Sequence, residues 1–422
     1  MTGRAVDAST APCYFPNMFE KSRRPILLVC LAVFGLMTGQ QMINPVLAPL
    51  ARELGLGELQ LGIVLTVGAS GVVLVSPLWG RIGARRGHKP VLLFSLVGAA
   101  VALLAFALIA RAGLARAVPL LFVMILLTRG LAFGLAWAAT PVTAQAYVSD
   151  VTTGERDRVT GMSMLGAAQG LGTALGPALG GVLVTGGLLL PVYVAPLLIG
   201  VIAVLVWIGL PKPDRHRDVA PAVKVRARDP RMWPFLLTGF GLFFAFGVVM
   251  MTVGFLLQDR LALDAQQTGR TTGLVMLAGA GSMLLAQVAV VPRLRWRPLR
   301  LIRVGAVVMT GGMLVLILAP NAPVIAAGVA VVGAGMGFGL PGYMAAPTLL
   351  AAREEQGAVA GLVGSANALS FVFGPLAGTA LYEVAAVAPY VLCGCLLAGL
   401  VAFVALHPGV RRVQTGTPKV AV

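Results

Sequence analysis

The sequence predicts an all-α membrane protein with twelve transmembrane helices in two six-helix pseudo-repeats. Of the 422 residues, 58% are hydrophobic and only 11% are charged. One soluble core of this length could not bury so much apolar surface. Apolar runs of about 20 residues recur along the chain, and each can span a bilayer core of about 30 Å. Matching features also recur in the two halves, as described below.

The predicted helices are joined by short links, except for one longer polar link in the middle. That link is rich in Pro, Arg and Asp. The predicted organisation is a cytoplasmic leader (1–24), an N-terminal six-helix bundle (25–210), a cytoplasmic linker (211–232), a C-terminal six-helix bundle (233–407) and a cytoplasmic tail (408–422). The first apolar run is too long for a signal-peptide core, so we expect it to be retained. The predicted spans are 25–50, 60–82, 90–110, 118–142, 159–185, 189–210, 233–257, 268–291, 299–319, 323–348, 358–382 and 386–407.

The distribution of Lys and Arg predicts the orientation of the chain. With a cytoplasmic N-terminus, five of the 32 cations lie outside, one lies within a helix and 26 lie on the cytoplasmic side. The outer five are Arg52, Arg111, Arg116, Arg260 and Arg270. An even number of helices then places both termini in the cytoplasm. The net charge of +17 belongs to short links and not to one soluble face, so nucleic-acid binding is not expected.

The residues that usually carry catalysis are few and scattered. The three histidines are all predicted to be cytoplasmic, and the four cysteines form neither a disulfide framework nor a zinc spacing. A membrane enzyme would need such groups clustered at one depth. The sequence therefore predicts no enzyme, no metal site and no cofactor. The expected partners are a small-molecule substrate and the lipid bilayer, and the protein is expected to be a monomer.

A glycine- and arginine-rich segment follows the second predicted helix and is the sharpest motif in the chain. We predict that it takes part in the conformational change through Gly80, Arg81, Arg85, Arg86, Gly87 and Lys89. It resembles the signature of the major facilitator superfamily, although a positive-inside loop would also be rich in cations. The family usually has an aspartate where this chain has Ala84, and that aspartate helps to lock the outward-facing state. The lock is therefore expected to be weaker here, or to use Asp150 as its counter-charge.

A series of small residues marks the fifth predicted helix. It comprises Gly166, Gly170, Gly172, Gly176, Pro177, Gly180 and Gly181. Glycines four residues apart leave a flat face for close helix packing, and a proline can kink the helix. The series resembles the motif of proton-coupled drug antiporters in the same superfamily, and ordinary small-residue packing is the alternative.

The second half of the chain echoes these features. Gly374-Pro375 in the eleventh helix repeats Gly176-Pro177, and an arginine-rich link follows the eighth helix at Arg293, Arg295, Arg297 and Arg300. Corresponding features in two halves are typical of transporters built from parallel repeats. Glu354-Glu355-Gln356-Gly357 before the eleventh helix and Gly374-Pro375 within it resemble the tetracycline-efflux branch.

Arg129 is the only charge deep within a predicted helix. A charge at that depth is costly and normally faces a cavity or a partner. No carboxylate lies at mid-membrane depth in the predicted spans. The predicted substrate-binding residues are therefore Arg129, Gln40, Gln41, Asn44 and Asn367, and an anionic or zwitterionic substrate is favoured. A purely structural role for Arg129 is the alternative.

The resemblance implies the major facilitator fold in a bacterial inner (cytoplasmic) membrane. It further implies secondary active export of a small organic solute by alternating access, coupled to a proton gradient. A siderophore-like metabolite, an organic acid or an antibiotic would suit the predicted site. A broad multidrug efflux pump, an importer or uniporter, and a non-transporting sensor or scaffold on the same fold remain alternatives.

Overall fold

The computed structural model describes residues 18–116, 119–152, 155–211, 229, 231–294, 296–351 and 355–406. Within these residues, twelve helices are long and apolar enough to cross a membrane, which confirms the predicted number. A helix satisfies its backbone hydrogen bonds internally, as a lipid environment requires. The helices are α1 (Met18–Glu53), α2 (Glu58–Arg86), α3 (His88–Ala115), α4 (Leu121–Val151), α5 (Glu155–Leu183), α6 (Leu190–Gly209), α7 (Trp233–Leu261), α8 (Ala265–Leu294), α9 (Pro298–Leu318), α10 (Ala322–Leu350), α11 (Gln356–Val384) and α12 (Ala388–Leu406).

Several helices are longer than predicted. α1 begins at Met18, so residues 18–24 of the predicted leader are helical, and the other leader residues lie outside the described part. α2 continues to Arg86, which makes most of the glycine- and arginine-rich segment helical and not a loop. The turn before α3 is reduced to Gly87, whose φ of 89° is a conformation that glycine adopts without strain. Most of the predicted linker (211–232) and all of the tail (408–422) lie outside the described residues.

The two ends of the helix bundle are distinguished by their links. We call the end that carries Gly87 and the chain between α6 and α7 the linker side, and the end that carries the α1–α2 link the distal side. Two helix starts on the distal side are capped by side chains: Asp264 accepts a hydrogen bond from Gln267 N at 2.7 Å, and Asn321 accepts one from Val324 N at 3.1 Å. Such caps satisfy backbone groups that a helix end would otherwise leave free.

The two six-helix halves pack by matching helix pairs. α1 packs against α5, and its counterpart α7 packs against α11. Across the two halves, α2 packs against α11 and α5 packs against α8. The echoed glycines occupy matching contacts: Gly176 lies against Gln41 of α1, and Gly374 lies against the backbone of α7 near Phe244. This arrangement is the repeat symmetry that the sequence predicted.

Candidate functional site

A cluster of charged residues joins the two halves at the distal side. Arg52 of α1 binds both carboxylate oxygens of Asp259 in α7, with Nη2 at 2.9 Å from Oδ2. The same guanidinium binds Glu58 of α2 at 2.6 Å. Planar guanidinium groups suit such two-pronged contacts with carboxylates, which are stronger than single hydrogen bonds. One arginine therefore ties α1 and α2 of the first half to α7 of the second.

α11 adds two further links to this cluster. Tyr382 donates a hydrogen bond to Asp259 Oδ2 at 2.7 Å. Glu383 Oε1 accepts a hydrogen bond from the backbone N–H of Leu59 at 2.9 Å, in the first turn of α2. A carboxylate is favoured there because the N-terminus of a helix carries a partial positive charge. We call Arg52, Glu58, Asp259, Tyr382 and Glu383 the distal latch.

Close contacts between helices of the two halves also close the distal side, next to the distal latch. Gly181 of α5 lies against Gly273 of α8, where a Cβ on Gly181 would come within 2.9 Å of the Gly273 Cα. Thr66 of α2 donates a hydrogen bond to the carbonyl of Val372 in α11 at 2.9 Å. These contacts occlude the path between the two halves on the distal side.

The linker-side parts of the same helices stand apart. Four glycines face open space: a Cβ added to any of them would have no heavy atom within 4 Å, apart from atoms of the adjoining backbone of the same helix. They are Gly166 and Gly170 in α5, and Gly361 and Gly364 in α11. Leu74 of α2 is 77% exposed. The structure is therefore the state that is closed on the distal side and open on the linker side.

Arg129 lies in a widened turn of α4. Residues Leu126–Ala132 form a π-helical segment, a deviation that often marks functional positions. The segment fits against α2 because Gly130 and Gly134 have no side chains: a Cβ on Gly130 would lie 2.8 Å from the Val64 carbonyl oxygen. The two glycines thus allow the backbone approach that holds Arg129 in place.

The Arg129 side chain is buried but has no polar partner in the described part of the chain. It is 4% exposed, and its Nε forms no hydrogen bond. The guanidinium carbon lies 4.7 Å from the ring centre of Phe133, one turn along the helix. This cation–π contact stabilises the charge only modestly. The guanidinium therefore keeps its capacity to bind an anion.

The predicted amide ligands form two separate groups. Asn44 donates a hydrogen bond to Gln41 Oε1 at 2.9 Å on α1, while Gln40 is half-buried. Asn367 of α11 accepts a hydrogen bond from Tyr343 of α10 at 2.9 Å. Among the described contacts, none joins Arg129 to any of these amides. That these side chains bind the substrate together stays a prediction.

The glycines of the series in α5 lie in three different surroundings: some contact α1, one contacts α8 and two face open space. Gly172, Gly176 and Gly180 press against α1, at Met37, Gln41 and Met42 respectively. Gly181 meets α8 across the two halves, and the neighbouring Pro177 carbonyl lies beside Gly273 of that helix. Gly166 and Gly170 face open space, so they do not extend the packed face as predicted.

This difference provides a matched mutational pair. We expect Gly176→Leu to reduce transport at least tenfold, because its Cβ would lie 2.5 Å from that of Gln41 and would push α5 away from α1. Gly166→Leu should keep near-parental transport, since its side chain enters open space. Transport per unit of membrane-inserted protein would be compared for the two variants. Equal activity would show that close packing of α5 on α1 is not needed.

The glycine- and arginine-rich segment is anchored mainly within the first half. Lys89 donates hydrogen bonds to the carbonyls of Trp207 and Leu210 at the end of α6, the first at 2.7 Å. Cations are favoured at a helix C-terminus, where carbonyl groups are unpaired. Arg81, Arg85 and Arg86 are exposed on the linker side. Lys89 therefore orients α3 on α6.

Asp150 contacts the glycine- and arginine-rich segment at His88, while its role as the counter-charge for the segment stays a prediction. Its carboxylate lies 2.7 Å from Nε2 of His88, so it ties the end of α4 to the start of α3. Gly83 makes room for this histidine, because a Cβ there would lie 3.2 Å from His88 Nδ1. The pair positions the turn at Gly87.

The linker-side ends of α7 and α11 are also held together. Arg231 binds Asp229 at 2.8 Å and Glu355 at 3.4 Å. The hydrogen bond from Arg231 lowers the pKa of the Asp229 carboxyl group. Of the acidic segment predicted before α11, Glu355 therefore makes a contact within the second half, while Glu354 lies outside the described residues.

The sequence places Arg52 among the outer cations but does not show which residues it binds. The sequence feature that could have indicated the distal latch was the presence of both positive and negative residues at the distal ends of helices. Pairing Arg52 with Asp259, 207 positions later, depends on how the two halves pack.

Comparisons with known proteins agree with this architecture. The family model described as Major Facilitator Superfamily matches residues 29–375 and 295–421. The chain is 30% identical over 385 residues to the tetracycline resistance protein, class G, of Vibrio anguillarum, covering 86% of this chain and 92% of that protein. It is 27% identical over 362 residues to the class B protein of Escherichia coli, covering 82% and 85%.

Solved transporter structures share the fold. The nucleoside transporter NupG superposes with a TM-score of 0.71 at 12% identity, covering 90% of this chain and 99% of that one. The human organic anion transporter MFSD10 superposes with a TM-score of 0.61 at 20% identity, covering 90% and 98%. The chain therefore belongs to the major facilitator superfamily, is similar to its tetracycline resistance proteins, and is a multi-pass membrane transporter and not an enzyme.

Proposed function

We propose that this transporter exports a small anionic or zwitterionic organic solute by alternating access, in exchange for protons. The observation that carries the proposal is the buried guanidinium of Arg129, which has no carboxylate or hydrogen-bond partner in the described residues. A buried, unpaired charge is strongly unfavourable in a membrane protein. An anionic group of the solute would supply the missing partner, and a carboxylate would match the guanidinium fork.

The direction of transport is proposed from the charge distribution and the relatives. The described cations of the α2–α3 and α8–α9 links lie on the linker side, so that side faces the cytoplasm in this proposal. The open linker side would then admit solute from the cytoplasm, and opening of the distal latch would release it outside. The proteins named for tetracycline resistance support an exported antibiotic as one substrate class. Tetracyclines carry both acidic and basic groups, which suits the proposed zwitterionic charge.

A broad multidrug pump is the second candidate, and an aromatic cluster favours it. The ring of Phe243 in α7 lies 6.0 Å from Phe371 in α11 and 6.3 Å from Tyr343 in α10. Phe371 is 45% exposed, so its ring is accessible to an apolar compound. A relative named multidrug resistance protein 1 from Bacillus subtilis is 24% identical over 86% of this chain.

The proposal is tested by uptake into everted membrane vesicles, whose outer surface is the cytoplasmic face of the membrane. With an acidic lumen, we expect vesicles containing the transporter to accumulate tetracycline or an aromatic carboxylate. A protonophore should abolish the accumulation, and vesicles without the protein are the control. If ethidium, a lipophilic cation, is the best substrate, the multidrug reading replaces the anionic one. Accumulation that is insensitive to the pH gradient would rule out proton antiport.

A further inference from the structure

The arginine-rich link between α8 and α9 has no role in the transport cycle described above. Arg293 and Arg300 are exposed, and Arg303 is half-buried in the first turns of α9. Of the ion pairs found among the described residues, none involves these three arginines.

One of these arginines contacts the linker-side end of another helix, and tryptophan rings lie nearby. Arg300 stacks over the ring of Trp296, with 4.2 Å between the guanidinium carbon and the ring centre. Arg303 donates a hydrogen bond from Nη2 to the carbonyl of Val404 in α12 at 2.9 Å, while its Nε is buried without a hydrogen-bond partner. Next to Val404, Phe403 packs against Trp233 at the start of α7, with 5.6 Å between ring centres. Arginines flanked by tryptophans are typical of the interface between bilayer and water.

An exposed apolar stripe runs along α9 away from these arginines. Val307, Leu314 and Leu318 are 54%, 57% and 77% exposed. They follow Arg300 and Arg303 at intervals of three, four or seven residues, which places all of them on one side of the helix. Between them, the Cβ position of Gly311 has no heavy atom within 4 Å, so the stripe contains a shallow slot. From Arg303 to Leu318 the stripe is roughly 22 Å long.

We propose that this surface is a binding site for an anionic phospholipid. Arg300 and Arg303 bind the phosphate, Trp296 and Trp233 lie at the level of the headgroup, and one acyl chain follows Val307 and the slot at Gly311. Basic pockets between transmembrane helices bind anionic headgroups in this manner. The exposed guanidinium of Arg300 gives the phosphate N–H donors that no hydrogen bond among the described residues uses. A free phosphate could bind the same arginines, but it has no acyl chain that would pack on the apolar stripe.

The test measures binding of defined ligands to the purified full-length transporter in detergent. Phosphatidylglycerol, phosphatidylcholine and inorganic phosphate would be compared by native mass spectrometry and by thermal unfolding. Arg300→Gln with Arg303→Gln should weaken phosphatidylglycerol binding about 30-fold, since each arginine near an anionic headgroup contributes roughly fivefold. The charge-matched control is Arg111→Gln with Arg116→Gln, two exposed arginines on the distal side.

Two single variants separate the possible outcomes. Arg300→Gln alone removes an exposed side chain whose contact is with Trp296, and an unchanged unfolding temperature without lipid would show that weaker binding is not caused by unfolding. Gly311→Leu fills the slot and should weaken phosphatidylglycerol binding while leaving any phosphate effect unchanged. Equal protection by inorganic phosphate, or no effect of Gly311→Leu, would reduce the site to a simple anion site and overturn the lipid proposal. Equal binding of phosphatidylcholine, or equal loss in the control variant, would overturn it as well.

Discussion

Arg52→Gln is expected to shift the transporter away from the state that is closed on the distal side. The change removes the guanidinium that holds Asp259 of α7 and Glu58 of α2 at once. The Arg52 side chain is 26% exposed, so each pair is intermediate between surface and buried ion pairs. We therefore expect a loss on the order of 1–3 kcal/mol, roughly a 5- to 150-fold shift in the population of the two states.

Spin labels on Glu53 of α1 and Gln267 of α8 would measure this shift, because both residues are exposed on the distal side in opposite halves. The Arg52→Gln variant should show a larger population of long distances and slower net transport. Arg52→Lys should be intermediate, since it keeps the charge but loses the fork that contacts both carboxylate oxygens of Asp259. Tyr382→Phe removes only one hydrogen bond to Asp259 and should have a smaller effect.

Arg116→Gln is the matched control, because it removes an exposed distal arginine that is not part of the latch. Its distance distribution should equal that of the parent. If Arg52→Gln also leaves the distances and the transport rate unchanged, the distal latch does not control the opening of this side.

Arg129→Gln is expected to abolish most transport at normal membrane abundance. A hydrogen bond to a charged group is worth about 1.5–3 kcal/mol, so the apparent affinity for an anionic solute should fall roughly 10- to 100-fold. Arg129→Lys should retain partial activity, because the charge remains while the two-pronged contact is lost. Initial transport rates over a range of solute concentrations would separate a loss of affinity from a loss of turnover.

A purely structural role for Arg129 predicts a different result for the Arg129→Gln variant. In that case Arg129→Gln would lower thermal stability or abundance in proportion to the lost transport. Phe133→Leu helps to distinguish the roles, since it removes the aromatic ring beneath the guanidinium and leaves the charge in place. We expect this variant to transport far better than Arg129→Gln. Normal export by Arg129→Gln would disprove the anion-binding role.

The sequence by itself determined the number of helices, their approximate positions and the repeat of two halves. The reason is local: each helix satisfies its own backbone, so the length of an apolar run is enough to identify a span. Helix ends were less predictable. α2 continues through Ala84, Arg85 and Arg86 because alanine and arginine favour a helix, and only Gly87 stops it. The deep position of Arg129 was also evident from the sequence.

The tertiary structure decided which side chains meet. It joins Arg52 to Asp259 across 207 positions, and it pairs Asp150 with His88. It also divides one glycine series among α1, α8 and open space. Sequence spacing describes neighbours on one helix, whereas these contacts depend on how the two halves are oriented in one particular state. The same amino-acid sequence is compatible with a state open on the linker side and with a state open on the distal side. Only the packing of the helices distinguishes these two states.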